Sequence, residues 1–255
     1  MIYVMSDLHG DYEKYKKMLE LIKFSNADDL YVLGDVVDRG PKGLAILLDM
    51  SLRANVIPIM GNHEYMARKC FKLIFNEETG ALREVSEDLI SNLSPQDLDL
   101  LMNWINHNGG QATIDELKTL SDEQRVFVGE YLDEFETCSE ITVADKSFLL
   151  VHAGLNNFHI HKPLAEYRIS DIIFCRTDYT KEYYPDKYLV TGHTPTRRIF
   201  ASELGLSMTN LSDETYRQYD KVYSKHNHIA IDCGCGYGGR LACVCIDTLE
   251  EFYID

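Results

Sequence analysis

Residues 34–40 read GDVVDRG, and this stretch follows the apolar run DLYVL at 29–33. It contains two aspartates three positions apart, Asp35 and Asp38, then Arg39, with a glycine at each end. A turn needs only one glycine for its positive φ angle, and a solvated loop does not need charges at fixed positions. We therefore expect a strand that ends in a loop whose charged side chains meet a ligand.

The alternation of apolar runs and helical segments continues on both sides of this loop. Helices are predicted at 12–24, where Tyr12, Tyr15, Leu19 and Ile22 share one face, and at 43–53. Strands are predicted at 2–7, 29–35, 56–62, 147–154, 187–193, 228–234, 240–247 and 251–254. Strands that alternate with helices indicate an α/β fold, and we expect the last five strands to form a second sheet with antiparallel pairs.

Two regions differ from this pattern. Residues 64–135 have helical spacing and predict a helical insertion beside the sheet, with the chain's one tryptophan, Trp104. Residues 202–226 are polar and rich in tyrosine, which predicts a loop. The 255 residues contain no low-complexity linker, so we expect one domain over residues 1–255.

The charge of the chain limits its partners. A net charge of −16 without a long basic run argues against nucleic acid and against anionic membranes as partners. An acidic protein that handles an anionic substrate needs local positive charge, most simply from metal ions. The N-terminus lacks the features of a signal peptide, and most of the seven cysteines lie in apolar runs, so we expect reduced thiols in a cytoplasmic protein.

Five predicted strands end in side chains that bind metals. The carboxyl ends of strands in an open α/β sheet gather at one edge, so these side chains are expected to converge. The side chains in question are Asp7, His9, Asp35, Asn62, His63, His152 and His193. Carboxylate, amide and imidazole donors together suit Mn, Fe, Zn or Co, and their number exceeds the needs of one ion. We expect two divalent metal ions that share a carboxylate, with Mn as the expected metal and Fe or Zn as the alternatives.

The motifs resemble a known family. DLHG (7–10), GDVVDRG, GNHE (61–64), HAGL (152–155) and GHT (192–194) resemble the PPP-type serine/threonine protein phosphatases of the calcineurin-like metallophosphoesterase superfamily. WINHNGGQATI at 104–114 is similar to a segment of small bacterial members, and IDCGCGYGGRL at 231–241 resembles the closing strand pair of the family. The resemblance implies a β-sandwich of two mixed sheets flanked by helices in an αββα arrangement of four layers.

The resemblance also implies roles for individual residues. Asp7, His9 and Asp35 would bind one metal, and Asp35 would bridge to a second metal that Asn62, His152 and His193 also bind. His63 would act as the general acid, with its ring oriented by Asp38. Arg39 and Arg176 would bind the phosphoryl oxygens, together with Asn62. Glu64 and Asp232 are candidates for hydrogen-bonding partners of the histidines, with a structural role as the alternative.

By this resemblance, the expected activity is dephosphorylation of phosphoserine and phosphothreonine proteins by in-line attack of a metal-bridging hydroxide. The alternative within the superfamily is hydrolysis of dinucleoside polyphosphates by a bis(5'-nucleosyl)-tetraphosphatase. Those enzymes typically lack the aspartate at the position of Asp38 and have aspartate at the position of Glu64. The two motifs therefore favour a protein phosphatase with a phosphoprotein or phosphopeptide substrate.

A further pattern concerns Cys233, Cys235, Cys243 and Cys245, which lie on two predicted neighbouring strands. Residues two apart on a strand share a face, so these thiols could form a structural zinc site. The alternative is a buried surface on which cysteine serves as a small apolar residue. Nothing in the sequence indicates the oligomeric state.

Overall fold

Strand β1 (Ile2–Met5) lies in the middle of the first of two five-stranded sheets. The computed structural model describes residues 1–83, 92–206 and 217–255. The other strands are β2 (Asp29–Val32), β3 (Val56–Pro58), β4 (Cys138–Val143), β5 (Lys146–Val151), β6 (Lys187–Thr191), β7 (Tyr223–Lys225), β8 (His228–Ala230), β9 (Leu241–Cys245) and β10 (Glu250–Ile254). The α-helices are α1 (Tyr12–Leu21), α2 (Gly43–Ser51), α3 (Asn62–Ile74), α4 (Pro95–Asn108), α5 (Gly110–Leu117), α6 (Asp122–Asp133), α7 (Ile169–Ile173) and α8 (Thr196–Glu203).

Both sheets are mixed. The first has the strand order β10-β9-β1-β2-β3, in which β1, β2 and β3 are parallel and β9 runs antiparallel to β1. The second has the order β4-β5-β6-β8-β7, in which β5, β6 and β8 are parallel and the two edge strands are antiparallel. The predicted α/β fold, with two mixed sheets flanked by helices, is confirmed.

The alternation of side chains along β1 explains why the two sheets lie between helices. Val4 packs between the sheets in a cluster that includes Phe148 and Val190 of the second sheet. Tyr3 and Met5 point to the other face and belong to the cluster that contains Tyr15 of α1. Successive residues of a strand point to opposite faces, so β1 has both faces buried. Full burial of one such large apolar side chain contributes roughly 1.5–3 kcal/mol.

Helix α1 follows the predicted pattern. Tyr15, Leu19 and Ile22 of the predicted face are buried, while Tyr12 is half-buried. The helix begins after Asp11, whose side chain accepts a hydrogen bond of 3.0 Å from the backbone N–H of Lys14. This contact satisfies one of the amides that lack an intrahelical partner in the first turn.

Helices α4, α5 and α6 lie within the segment that was predicted as a helical insertion, and α3 leads into it from β3. Residues 84–91 of this segment lie outside the described residues. Trp104 of α4 is fully buried, and its ring lies against Gly110 at the start of α5. The assignment of residues 1–255 to one domain stays a prediction.

The predicted placement of the last two strands was wrong. We expected 240–247 and 251–254 in the second sheet, but β9 pairs with β1 and β10 pairs with β9 in the first sheet. All five residues of β9 are buried, so this strand needs partners on both edges and cover on both faces. The position between β1 and β10 provides both.

The cysteines of the proposed zinc site do not meet. Cys243 packs in the helix-facing cluster of the first sheet, whereas Cys233 packs between the sheets. Within the described part of the chain, the groups of side chains that could hold a metal include no cysteine. These thiols are buried and free, which agrees with the interpretation of small apolar core residues.

Residues 202–226 were predicted as a loop, and residues 207–216 of that range lie outside the described residues. The described part includes the end of α8 and all of strand β7, so the loop prediction fails there. Among the helices that the structure describes, none is both long and apolar enough to span a bilayer.

Candidate active site

The carboxyl ends of five strands meet at one edge of the sandwich. Strands β1, β2 and β3 of the first sheet lead into the candidate ligands at 7–9, 35 and 62–63, and β5 and β6 of the second lead into His152 and His193. A cavity of about 180 Å³ at this edge is lined by Asp7, Asp35, Asn62 and His193, among others. The structure therefore brings together side chains from both sheets that are up to 186 positions apart in the sequence.

The backbone at this edge is strained. The structure describes twelve non-glycine residues with positive φ, and half of them are candidate site residues: Asp7, His9, Asp35, Asp38, Arg39 and His193. Asp35 has φ 53°, and Gly34 beside it has φ 77° and lies against Gly61, where a Cβ would come within 2.4 Å of its backbone. Left-handed conformations are tolerated best by aspartate, asparagine and glycine, and they concentrate at functional sites.

Asp35 lies between two groups of ligand atoms. On one side Oδ2 of Asp35 is 3.7 Å from Nε2 of His9 and 3.8 Å from Nε2 of His63. On the other side Oδ1 is 3.3 Å from Nε2 of His152, whose ring also neighbours His193. Each group forms a set of three ligand atoms within 4.8 Å of one another, and both sets share Asp35.

Backbone carbonyls orient two of these imidazoles. Nδ1 of His152 lies 2.6 Å from the carbonyl oxygen of Leu33, and Nδ1 of His9 lies 3.0 Å from that of Val37. A carbonyl oxygen only accepts, so each Nδ1 carries the proton and each Nε2 presents a lone pair to the site. This arrangement is typical of histidines that bind metals.

Burial keeps these rings neutral. Burial lowers the pKa of His152 and, with the neighbouring His63, moves the pKa of His9 well below its usual value. Burial and then His152 lower the pKa of His193 to about 2. Neutral imidazole is the form that binds a metal ion.

Several atoms that carry lone pairs converge here, and this arrangement fits a divalent cation. Nε2 of His152 lies 3.0 Å from Oδ1 of Asn62 and 3.1 Å from Nδ1 of His193, besides its contact with Asp35. Buried lone pairs that face one another repel unless a proton or a cation lies between them. Carboxylate charge is crowded as well: burial, followed by Asp232 and Asp35, raises the pKa of Asp7. The mixed oxygen and nitrogen set suits Mn, Fe or Zn better than Ca.

Asp7 lies in the same cavity but belongs to neither set of three. Its Oδ2 accepts hydrogen bonds from the backbone N–H of His193, at 2.9 Å, and from the hydroxyl of Ser6. His63 takes the place that Asp7 was expected to have in the set with His9 and Asp35. The role of Asp7 as a ligand of the first metal stays a prediction.

His63 and Asp38 form a buried pair. Nδ1 of His63 lies 2.7 Å from Oδ2 of Asp38. Burial lowers the pKa of His63, but the neighbouring carboxylates of Asp35 and Asp38 together raise it above its usual value. Nη2 of Arg39 lies 3.2 Å from Nε2 of the same ring. The backbone N–H of His63, at the start of α3, donates to Asp35 at 3.1 Å. The ring therefore has a fixed orientation toward the cavity.

Three arginines line the cavity. Besides its contact with His63, Arg39 stacks on the ring of Tyr237, with the guanidinium carbon 4.3 Å from the ring centre. Arg176 donates to the carbonyl oxygen of His193 and to the hydroxyl of Thr194, both at 3.1 Å. Arg198 of α8 is exposed, and its guanidinium makes no hydrogen bond or ion pair with the described residues. These guanidinium groups place positive charge at a cavity that Asp7, Asp35 and Asp232 also line.

Glu64 does not contact the candidate histidine ligands through its carboxylate. It accepts hydrogen bonds from the backbone N–H groups of Asp35, Val36, Val37 and Gly61, at 2.7 to 3.1 Å. It therefore fixes the loop 34–40, which agrees with the structural alternative. Asp232 accepts from the backbone N–H of Gly234 at 2.9 Å, and burial raises its pKa to about 6.

Sequence reasoning did not assign several residues that reach the site. Arg198, His107 and Tyr237 line the cavity or its edge, and Trp104 and Thr113 bind Asp38 from the helical insertion. Trp104, His107 and Thr113 lie in the motif at 104–114 and Tyr237 lies in the motif at 231–241, and none of these four residues carried a predicted site role. Arg198 lies in neither motif, so no sequence signal pointed to it.

A two-sheet sandwich with this donor set at its strand ends defines a metallophosphoesterase-type hydrolase. The family model described as calcineurin-like phosphoesterase matches residues 1–197, so the chain belongs to that family. The family uses a dinuclear divalent metal centre, and the groups on either side of Asp35 are candidate ligands for it.

Curated relatives agree with this family. The chain is 32% identical over 105 residues to a symmetrical bis(5'-nucleosyl)-tetraphosphatase of Wigglesworthia glossinidia brevipalpis, a match that covers 40% of the chain and 36% of the relative. A protein of the same name from Xanthomonas axonopodis pv. citri is 34% identical over 106 residues, which is 41% of the chain and 32% of the relative. The chain thus spans about a third of the length of these relatives.

Solved structures agree with the fold over the whole chain. A crystal structure provisionally assigned as a diadenosine tetraphosphatase has a TM-score of 0.62 and 15% identity, covering 99% of this chain and 92% of that one. A metallophosphoesterase from Sphaerobacter thermophilus has a TM-score of 0.51 and 16% identity, covering 99% and 86%. At this level of identity, these likenesses concern the fold alone.

Proposed function

We propose that this chain hydrolyses bis(5'-nucleosyl) polyphosphates, cleaving a phosphoanhydride at the cavity around Asp35. The observation that carries the proposal is the presence of three arginines around one cavity, Arg39, Arg176 and Arg198. Two guanidinium groups suffice for the oxygens of a single transferred phosphoryl group. The third guanidinium, that of Arg198, has no partner among the described residues, so it suits the next phosphate of a polyphosphate chain. The names of the curated relatives support the same substrate class.

The cavity edge also suits a nucleoside. Tyr237 is 55% exposed, and its ring is held against the guanidinium of Arg39. An exposed aromatic face beside a phosphate-binding arginine offers a stacking surface for a base, which contributes about 1–3 kcal/mol in nucleic-acid complexes.

The chain's own residues would divide the work of hydrolysis. Asp35, His9, His152, His193, Asn62 and Asp7 would hold two divalent ions, which supply Lewis-acid activation of water and neutralise charge on phosphate. Arg39 and Arg176 would bind the equatorial oxygens of the phosphoryl group under attack, and Arg198 the adjoining phosphate. His63, fixed by Asp38, would hold a proton at Nε2 for the leaving oxygen.

A comparison of substrates tests the proposal. Full-length protein loaded with Mn²⁺ is given diadenosine tetraphosphate, a phosphothreonine peptide or p-nitrophenyl phosphate, and products are separated by anion-exchange chromatography. We expect the highest kcat/KM with the dinucleotide, with ADP as the product of symmetrical cleavage. Higher kcat/KM with the phosphopeptide would overturn this proposal in favour of the second candidate.

The second candidate is a phosphoserine/phosphothreonine protein phosphatase, as the sequence motifs favour. The observation behind it is the hydrogen bond of 2.7 Å between His63 and Asp38. An alkoxide leaving group from serine or threonine needs a proton in the transition state, whereas a nucleotide phosphate leaves readily without one. A well-oriented general acid is therefore of greater use to a phosphomonoesterase. Mn²⁺ as the resident metal and a cytoplasmic location belong to both candidates as expectations.

A further inference from the structure

The segment 104–113 consists of the end of α4, Gly109 and the start of α5, and it lies against the loop 34–40. Gly109 at its turn has φ 80°, and its carbonyl oxygen accepts a hydrogen bond of 3.0 Å from the backbone N–H of Arg39. A Cβ at Gly109 would lie 2.8 Å from the backbone nitrogen and Cγ of Arg39. This segment thus packs directly on the loop that presents Asp38 and Arg39.

Both oxygens of Asp38 are held by donors on this segment. Oδ2 accepts from the indole Nε1–H of Trp104 at 2.7 Å, in addition to its contact with His63. Oδ1 accepts from the hydroxyl of Thr113 at 2.7 Å, and the same hydroxyl accepts from the backbone N–H of Asp38 at 3.0 Å. One threonine hydroxyl therefore binds the side chain and the backbone of the same residue.

Asp38 needs these donors for two reasons. Its side chain is fully buried, and a buried carboxylate is costly unless hydrogen bonds satisfy it. Its backbone has φ 70°, a conformation that persists only when its surroundings impose it. Trp104 and Thr113 meet both needs, and Trp104 in turn is packed against Gly110 of the same segment.

We propose that Trp104 and Thr113 are positioning residues, which fix the carboxylate of Asp38 so that it orients the ring of His63 toward the substrate. The helical insertion then takes part in catalysis through Asp38, besides covering the first sheet. This inference rests on the role proposed for His63 as the acid. It does not depend on whether the substrate is a dinucleotide or a phosphoprotein.

The test uses variants of matched size in the full-length chain. Thr113→Val keeps the shape and removes the hydroxyl, Thr113→Ser keeps the hydroxyl, and Trp104→Phe removes the indole N–H. Metal-free protein is examined by ¹H–¹⁵N NMR of its histidine rings, with the His63 signal assigned by its absence in His63→Asn. We expect the Nδ1–H of His63 to lose its downfield shift in Thr113→Val and Trp104→Phe and to keep it in Thr113→Ser.

Kinetics on the Mn²⁺-loaded variants give a second readout. Phenyl phosphate has a poor leaving group and 2,4-dinitrophenyl phosphate a good one, so only the first needs the acid. We expect Thr113→Val to lower kcat on phenyl phosphate about 10- to 100-fold and on the dinitrophenyl ester less than about 3-fold, since general acids contribute 10²–10⁴-fold. Thr113→Ser should restore the kcat on phenyl phosphate.

Failure of the proposed function and failure of the positioning role give different results. If wild-type protein hydrolyses none of these esters and no dinucleotide, the proposed function fails, while the NMR comparison still decides the positioning role. If the His63 signal is unchanged in Thr113→Val, or both esters slow equally in that variant, the positioning role is overturned. Trp104 is fully buried, so the thermal melt of Trp104→Phe is measured first, and a misfolded Trp104→Phe leaves the decision to the two Thr113 variants.

Discussion

Oδ1 of Asp35 lies 3.3 Å from Nε2 of His152, and the second oxygen of the same carboxylate faces His9 at 3.7 Å. One side chain thus serves both sets of candidate ligands. If Asp35 bridges two metals, Asp35→Asn weakens both sites, because the amide offers one weak, neutral oxygen to one ion and no ligand oxygen to the other. We expect this variant to bind less than half of the Mn²⁺ that wild type binds after gel filtration.

Inductively coupled plasma mass spectrometry measures this metal content. His193→Asn is the matched comparison, because His193 belongs only to the set on the His152 side. It should retain close to one ion per chain. Equal metal content in wild type and Asp35→Asn would contradict the bridging role.

The proposed acid gives a second prediction. His63→Asn removes the ring that Asp38 orients while leaving Asp35, His9 and His152 in place. We expect two bound ions to remain and kcat on phenyl phosphate to fall by about 10²-fold or more, with a much smaller loss on 2,4-dinitrophenyl phosphate. Equal rates for wild type and variant on phenyl phosphate would remove His63 from this role.

The candidate site was more predictable from sequence than the connections around it. Asp35, His152 and His193 follow apolar strands directly, and the geometry of parallel strands places such residues at one edge. Trp104 and Thr113 lie in a helical segment, where periodicity identifies a buried face but not the carboxylate that this face meets. The sheet that contains β9 was predicted wrongly for a related reason. Five consecutive buried residues indicate a central strand, but they do not indicate which of two sheets contains it.

Glu64 gives a prediction about stability. Its two carboxylate oxygens accept from four backbone N–H groups, and the side chain is fully buried. Glu64→Ala leaves these four donors without partners, and we expect a loss of about 4 kcal/mol or more in the free energy of unfolding, since each buried unsatisfied group costs roughly 1–3 kcal/mol. For a chain of this size a loss of about 4 kcal/mol lowers Tm by roughly 8–16 °C.

Thermal unfolding followed by circular dichroism, on metal-free protein, checks this expectation. Glu78→Ala is the matched control, because the carboxylate of Glu78 is exposed at the surface. Its Tm should stay close to that of wild type. A Tm for Glu64→Ala within 2 °C of wild type, a shift of roughly 1 kcal/mol or less, would show that the loop 34–40 is held by other contacts.

Arg198 distinguishes the two candidate functions. Its guanidinium lines the cavity and makes no hydrogen bond or ion pair with the described residues, so it is available for a phosphate next to the one under attack. A hydrogen bond to a charged group contributes about 1.5–3 kcal/mol, so Arg198→Gln should raise KM for diadenosine tetraphosphate about 10-fold or more. p-Nitrophenyl phosphate has no second phosphate, and its kcat/KM should change less than about 2-fold, a small free-energy difference.

The control for Arg198 is Arg53→Gln. Arg53 forms an ion pair with Asp49 beyond the end of α2, next to the amino end of β3 and therefore at the opposite edge of the sheet from the cavity. Its loss should leave both substrates unaffected at a temperature well below Tm. Equal loss of kcat/KM on both substrates in Arg198→Gln would place Arg198 at the transferred phosphoryl group, and no change on either would exclude it from substrate binding. Only selective loss on the dinucleotide agrees with a site built for a polyphosphate chain.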